Sequence, residues 1–156
     1  MYLHFGDCIP LIIFDKKQNI YAFAHMGWRS IELDLHLKTI KIMQEQYKSD
    51  MKDIEVLIGP SIKVDSYILK NPSQKYLTEW NNYLEETKID YYKINLNQYI
   101  VDGIKKLGIK KINNSDIDTG KDLNFFSHYR SIYLDKNEIE GRFLCGVILE
   151  DNEKNT

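Results

Sequence analysis

Residues 6–30, GDCIPLIIFDKKQNIYAFAHMGWRS, constrain the fold more than any other stretch, because two apolar runs, 9–14 and 20–24, flank the polar segment DKKQN. That pattern predicts a β-hairpin, in which two buried strands are joined by a solvated turn. With a four-residue loop over 15–18, Phe14 pairs with Asn19, and antiparallel counting sets Cys8 opposite His25. Directly opposite residues point to the same face, so thiol and imidazole would be neighbours. A one-residue slip sets His25 opposite Ile9 and on the other face, which makes the turn decisive.

The first strand is expected to include residues 2–5 and to run past Cys8, with Pro10 near a strand end or an edge because proline donates nothing to a ladder. Gly27 permits a tight turn, and Ser30 is expected to cap a helix reaching about Tyr47, with Leu33, Leu37, Ile40 and Tyr47 on one face. Residues 54–58 read as a short buried strand stopped by Gly59-Pro60. Asn71-Pro72 reads as the start of a helix carrying Tyr76, Leu77, Trp80, Tyr83 and Leu84. A strand over 91–96 and a helix bearing Ile100, Val101, Ile104 and Leu107, closed by Gly108, come next. A strand over 109–112, a loop over 113–124 and a buried last strand over 142–149 complete the order. Strands alternating with helices after an opening hairpin predict an α/β fold with a mixed sheet. One domain is expected over 1–150, with a frayed tail over 151–156.

Charge and cysteine content narrow the function. With 21 basic against 23 acidic residues the net charge is -2, so neither a nucleic-acid backbone nor an anionic membrane meets a basic field. Cys8 and Cys145 make no disulfide framework, and the short apolar N-terminal run lacks a basic flank and is interrupted by Asp7. A soluble, cytoplasmic protein is the expectation.

Cys8 and His25 admit three readings. They are two ligands of a zinc ion, one short of the three protein donors plus water of a catalytic site. They are a cysteine nucleophile and its base. Or they are a small buried thiol and a histidine satisfied by a carbonyl. Arg29, at the start of a predicted helix, can hold phosphate or carboxylate together with free backbone N–H groups, although an exposed ion pair is the commoner fate of an arginine. Trp28 either stacks on a flat ring or plugs the core. His128 and Arg130 in SHYR, and Arg142 before the last strand, are further candidates at loop ends. Cys145 and Trp80 read as core and His36 as surface. His4 lies about 13 Å along an extended strand from Cys8, too far to share a metal ion.

The segments GDCIPLIIFD, AHMGWRS, IGPSI, INLN, FFSHYR and EGRFLCGVI, in this order, resemble the multicopper polyphenol oxidase or laccase-domain family. Its members are understood largely as zinc-dependent purine nucleoside phosphorylases that also show adenosine deaminase and methylthioadenosine phosphorylase activity. The resemblance implies an α/β/β/α sandwich, with Cys8 and His25 on the zinc-ligand cysteine and histidine. It implies a phosphate or substrate contact at Arg29, and places Ser127 and Arg130 in a segment near the pocket. Nucleoside and phosphate are the implied small-molecule partners.

The match spans about the C-terminal two-thirds of the family pattern. The third zinc ligand of the family, a histidine in a V-H-G motif upstream, has no counterpart in the seven residues before Cys8. Residues 65–67, Asp-Ser-Tyr, replace a cysteine often found after I-G-P, and Ser30 replaces the glycine after G-W-R. The shortened match is expected to leave sheet edges exposed unless a second copy covers them in a homodimer. Three functions follow from the resemblance: a zinc-dependent purine nucleoside phosphorylase, a degenerate relative that binds a nucleoside or a protein without turnover, and a Cys8/His25 hydrolase. Copper-dependent phenol oxidation ranks below these, because two ligands cannot supply a multicopper cluster.

Overall fold

In the computed structural model, which describes residues 1–149, the chain opens with two strands rather than one, β1 (Tyr2–Phe5) and β2 (Ile9–Asp15). The break falls at residues 6–8, where Asp7 takes a φ of 83°, left-handed backbone that interrupts extended pairing. β2 turns back into β3 (Ile20–Met26), and α1 (Trp28–Glu32) and α2 (Leu35–Tyr47) follow. After β4 (Ile54–Ile58) come β5 (Ile68–Lys70), 3-10 turns at Ser73–Tyr76 and Thr78–Tyr83, β6 (Leu84–Lys88) and β7 (Tyr91–Ile94). Then come α3 (Leu96–Lys106), β8 (Lys111–Asn114), a π-turn at Arg130–Leu134 and β9 (Phe143–Gly146). The frayed tail expected over 151–156 lies outside the described residues.

The main sheet has the order β3-β2-β4-β8, with only the β4–β8 pair parallel, so it is mixed as the alternating pattern predicts. Ile9, Leu11, Ile13 and Val56 from this sheet are fully buried and join Ile31, Ile40, Ile100 and Ile104 from the helices in one core. That burial of alternate strand residues is what fixes β2 in register. On the other side of the sheet β1 and β9 pair as an antiparallel ribbon, and Phe5 packs against Phe23 at 6.0 Å and His25 at 4.6 Å between ring centroids. A third small sheet, β5-β7-β6, stands beside the core. Trp80, fully buried as the sequence implies, stacks on Tyr99 at 4.0 Å.

Several sequence expectations give way. The helix expected over 30–47 is split at Asp34, whose φ of 53° ends helical winding, and the burial pattern restarts beyond it. Leu33 and Tyr47 are therefore exposed, and His36, Ile40 and Met43 form the buried stripe. Ser30 lies inside α1, where its hydroxyl donates to the Gly27 carbonyl at 2.8 Å instead of capping. His36 is fully buried, not a surface residue. The helix expected after Pro72 shortens to 3-10 turns because the next residues are claimed by the β6–β7 hairpin, where cross-strand pairing outweighs helical periodicity. The last strand is shorter than 142–149 and half-exposed, with Leu144 outward and Cys145 half-buried, since its ribbon has two strands only. No helix among the described residues is long and apolar enough to cross a membrane.

Candidate active site

The bend at residues 6–8 is fastened by its own acid. Asp7 is buried, and its carboxylate accepts from the Thr119 hydroxyl at 2.7 Å, the Ser127 hydroxyl at 3.0 Å and the Tyr129 backbone N–H at 2.6 Å. Three donors on one buried carboxylate tie the start of the chain to its C-terminal segment. Sequence reading took Asp7 only as a break in an apolar run; an acid next to Gly6 inside an otherwise apolar strand pattern was the available signal.

Cys8, next along, lines a cavity of about 190 Å³ with Met26, Trp28, Tyr67, His128 and Tyr129 among its neighbours. Burial, and then the Asp7 charge, push its thiol above the ordinary cysteine range, so it is protonated near neutral pH. Beyond it opens a larger cleft of about 850 Å³ that carries Trp28, Tyr91, Tyr129 and Tyr133 with Lys70 and Lys88. Trp28, Leu69, Tyr129 and Tyr133 border both spaces, so cleft and cavity adjoin across these side chains.

His25 is not beside Cys8 in the ladder. The hairpin pairs Pro10 with His25 and Ile9 with Met26, a shift of two residues from the expected register. Its cause is Asp15, whose carboxylate accepts from the backbone N–H groups of Lys17 and Gln18 at 2.9 and 3.0 Å and so stays in the ladder opposite Ile20. The four-residue loop is thus 16–19. Gly27 follows Met26 where the pairing would bring it against Cys8, and a Cβ there would stand 3.4 Å from the Cys8 sulfur. One face of the His25 ring is covered by Phe5, and His25 is not among the residues that line the Cys8 cavity. Burial, and then the Arg142 charge, lower its pKa, so the ring is neutral at pH 7.

Arg142 emerges as a shared neighbour. Its side chain crosses Gly6 so closely that a Cβ there would meet Cδ at 2.9 Å, and its charge acts on both Cys8 and His25. One of its guanidinium nitrogens donates to Glu140 at 3.0 Å, and the same carboxylate oxygen lies 2.8 Å from His128 Nδ1.

The other expected contacts fall differently. Arg29 is exposed and stacks over the Trp28 ring at 4.4 Å; Trp28 borders both cavities, whereas Arg29 lines neither. Ser127 donates to Asp7, and Arg130 is buried with its donors directed to Glu138, the Thr119 carbonyl and the Phe125 carbonyl. Both brace the segment that carries His128, and four of the five guanidinium N–H groups of Arg130 are engaged within the protein. Among the described residues no group of three or more His, Cys, Asp or Glu side chains could hold a metal ion. Cys8 and His25 do not by themselves fit the zinc implied by the resemblance.

The profile of the family described as multi-copper polyphenol oxidoreductase laccase matches residues 1–150. The protein named purine nucleoside phosphorylase YlmD of Staphylococcus aureus is 28% identical over 148 residues, which are 92% of this chain and 53% of that protein. A purine nucleoside phosphorylase of Clostridium acetobutylicum is 37% identical over 62 residues, 40% of this chain and 26% of its own length. Crystal structures of the hypothetical protein YfiH from Bacillus licheniformis and of YlmD from Geobacillus stearothermophilus share the fold. Each has a TM-score of 0.80 at 24% identity over 92% of this chain, and 55% and 54% of their own chains respectively. The chain spans about half the length of the curated relatives it matches most fully.

Proposed function

This chain belongs to the multi-copper polyphenol oxidoreductase laccase family, and on that premise we propose that it acts in the phosphorolysis of purine nucleosides. The observation that carries the reading is the juxtaposition of the aromatic cleft and the Cys8 cavity, which share Trp28, Leu69, Tyr129 and Tyr133 as lining. The rings of Trp28, Tyr129 and Tyr133 border the Cys8 cavity as well as the cleft, and such flat walls suit a purine base directed into that cavity with its ribose and phosphate in the cleft. The relatives named purine nucleoside phosphorylase support the same substrate class.

Phosphate is assigned to Arg29, an exposed guanidinium stacked on Trp28, which borders both spaces. Lys70 and Lys88, on the cleft wall, add positive potential. Cys8 offers a protonated thiol to the bound nucleoside. In the reaction a phosphate oxygen attacks the ribose anomeric carbon while the bond to the base breaks. Cys8 and His25 are one donor short of a catalytic zinc set, so the residues named above carry the step.

The test is release of hypoxanthine from inosine by the full chain, with and without phosphate. Arg29→Gln is expected to raise KM for phosphate about tenfold, in line with loss of one charge-assisted contact. An unchanged phosphate dependence contradicts the role of Arg29. The two-donor set favours one second reading, a nucleoside-binding protein without turnover, for which inosine binds and no base is released.

A further inference from the structure

We infer that His128, positioned by Glu140, is the proton donor to the base that leaves in the Cys8 cavity. The assignment rests on the phosphorolysis reading and adds a residue to it. His128 stands at the rim of the cavity, half-exposed, with its neighbours on both sides bound to Asp7. The Ser127 hydroxyl and the Tyr129 backbone N–H both end on that carboxylate, and Asp7 adjoins Cys8 in sequence. The backbone of His128 is thereby held against the wall that carries the thiol. From the following turn the Ser131 hydroxyl donates to the His128 carbonyl at 3.0 Å.

The ring is oriented by Glu140. Nδ1 lies 2.8 Å from a Glu140 oxygen that also accepts from Arg142 at 3.0 Å, while Arg142 is further fixed by donating to the Gly141 carbonyl at 2.7 Å. Contact with His128, and then with Arg142, holds the Glu140 carboxyl below the ordinary glutamate range, so it is a carboxylate at neutral pH. A carboxylate against Nδ1 requires that nitrogen to carry its proton, which leaves Nε2 as the working atom. Among the described residues Nε2 has no hydrogen-bond partner. His25, with its ring against Phe5, does not line this cavity.

The proton balance is simple. As the phosphate oxygen bonds to the anomeric carbon, the electron pair of the breaking glycosidic bond passes to the purine, and protonated His128 delivers its Nε2 proton to a ring nitrogen of the departing base. The products are ribose 1-phosphate and the neutral base. The new phosphate ester loses its remaining proton to solvent, from which neutral His128 is reprotonated.

The test compares the full chain with His128→Gln and Glu140→Gln in phosphate-dependent hypoxanthine release, each variant first checked for an unchanged unfolding midpoint. His128→Gln is expected to lower kcat about 100-fold or more and to leave KM for inosine within about threefold, the pattern of a lost general acid. Nitrogen-15 spectra of the histidine rings supply a readout that a merely structural Glu140 would not move. The unaltered chain is expected to hold His128 in the Nδ1–H form when neutral, and Glu140→Gln to mix the tautomers and lower kcat. Hypoxanthine is expected to shift the Nε2 resonance saturably. An active parent whose kcat survives His128→Gln overturns this assignment alone, as does hypoxanthine binding that leaves Nε2 unmoved. A parent that releases no base overturns the phosphorolysis reading, and this assignment with it.

Discussion

The backbone N–H of Tyr129 donates to the Asp7 carboxylate at 2.6 Å, joining residues 122 positions apart in the chain. With Thr119 and Ser127 on the same carboxylate, this contact seals the bend beside Cys8 to the segment that bears His128. Asp7→Ala leaves three buried donors without an acceptor and is expected to cost about 3 kcal/mol of stability. Asp7→Asn keeps one acceptor oxygen and is expected to cost less. Urea unfolding of both variants checks the order.

The same acid and Arg142 act on the Cys8 thiol in opposite directions. Burial is the largest influence on it, but Asp7 raises its pKa and Arg142 lowers it. Iodoacetamide labelling of Cys8, separated from Cys145 by peptide mass spectrometry, is expected to move its pH midpoint down in Asp7→Asn and up in Arg142→Gln. In Arg142→Gln the His25 ring is also expected to titrate at higher pH, because the Arg142 charge lowers its pKa.

His36 makes the fold sensitive to acid. Fully buried, with neither ring nitrogen hydrogen-bonded, it has its pKa lowered from 6.5 to about 4 by burial. Between those values the unfolded chain binds a proton that the folded chain does not. The stabilising contribution is thus complete above pH 6.5 and is lost as pH falls to about 4, by on the order of 3 kcal/mol. His36→Leu is expected to flatten stability over this window while leaving it similar at pH 7. An unaltered slope between pH 6.5 and 4 in that variant contradicts the account.

Zinc content follows from the donor count. With Cys8 and His25 as the implied ligands and no group of three candidate donors among the described residues, the purified full chain is expected to hold well under one zinc per chain. A chelator is expected to leave its unfolding temperature unchanged. Stoichiometric zinc that is lost in Cys8→Ala would require a third donor from outside the described residues.

What the sequence made legible follows periodicity and local signals. The hairpin, β4, and the helix ending before Gly108, whose φ is 89°, are read from residues close in sequence. The hairpin register was missed by two because an Asp15 side-chain turn, invisible to apolar pattern, decides where the loop begins. His36 looked like a surface residue because its helix was counted from Ser30, whereas the left-handed Asp34 resets the count. Of the site, Cys8 and Trp28 were visible as residue types, Trp28 directly after Gly27. Asp7, Glu140 and Arg142 acquire their roles only through contacts between distant segments, which no local pattern carries.

The central claim is phosphorolysis, and the most direct measurement is phosphorus NMR of inosine, inorganic phosphate and the full chain followed over time. The account predicts that the phosphate resonance declines as a ribose 1-phosphate resonance grows, with one hypoxanthine released for each. Hypoxanthine released without a new phosphorus resonance, or no release at all, would contradict it.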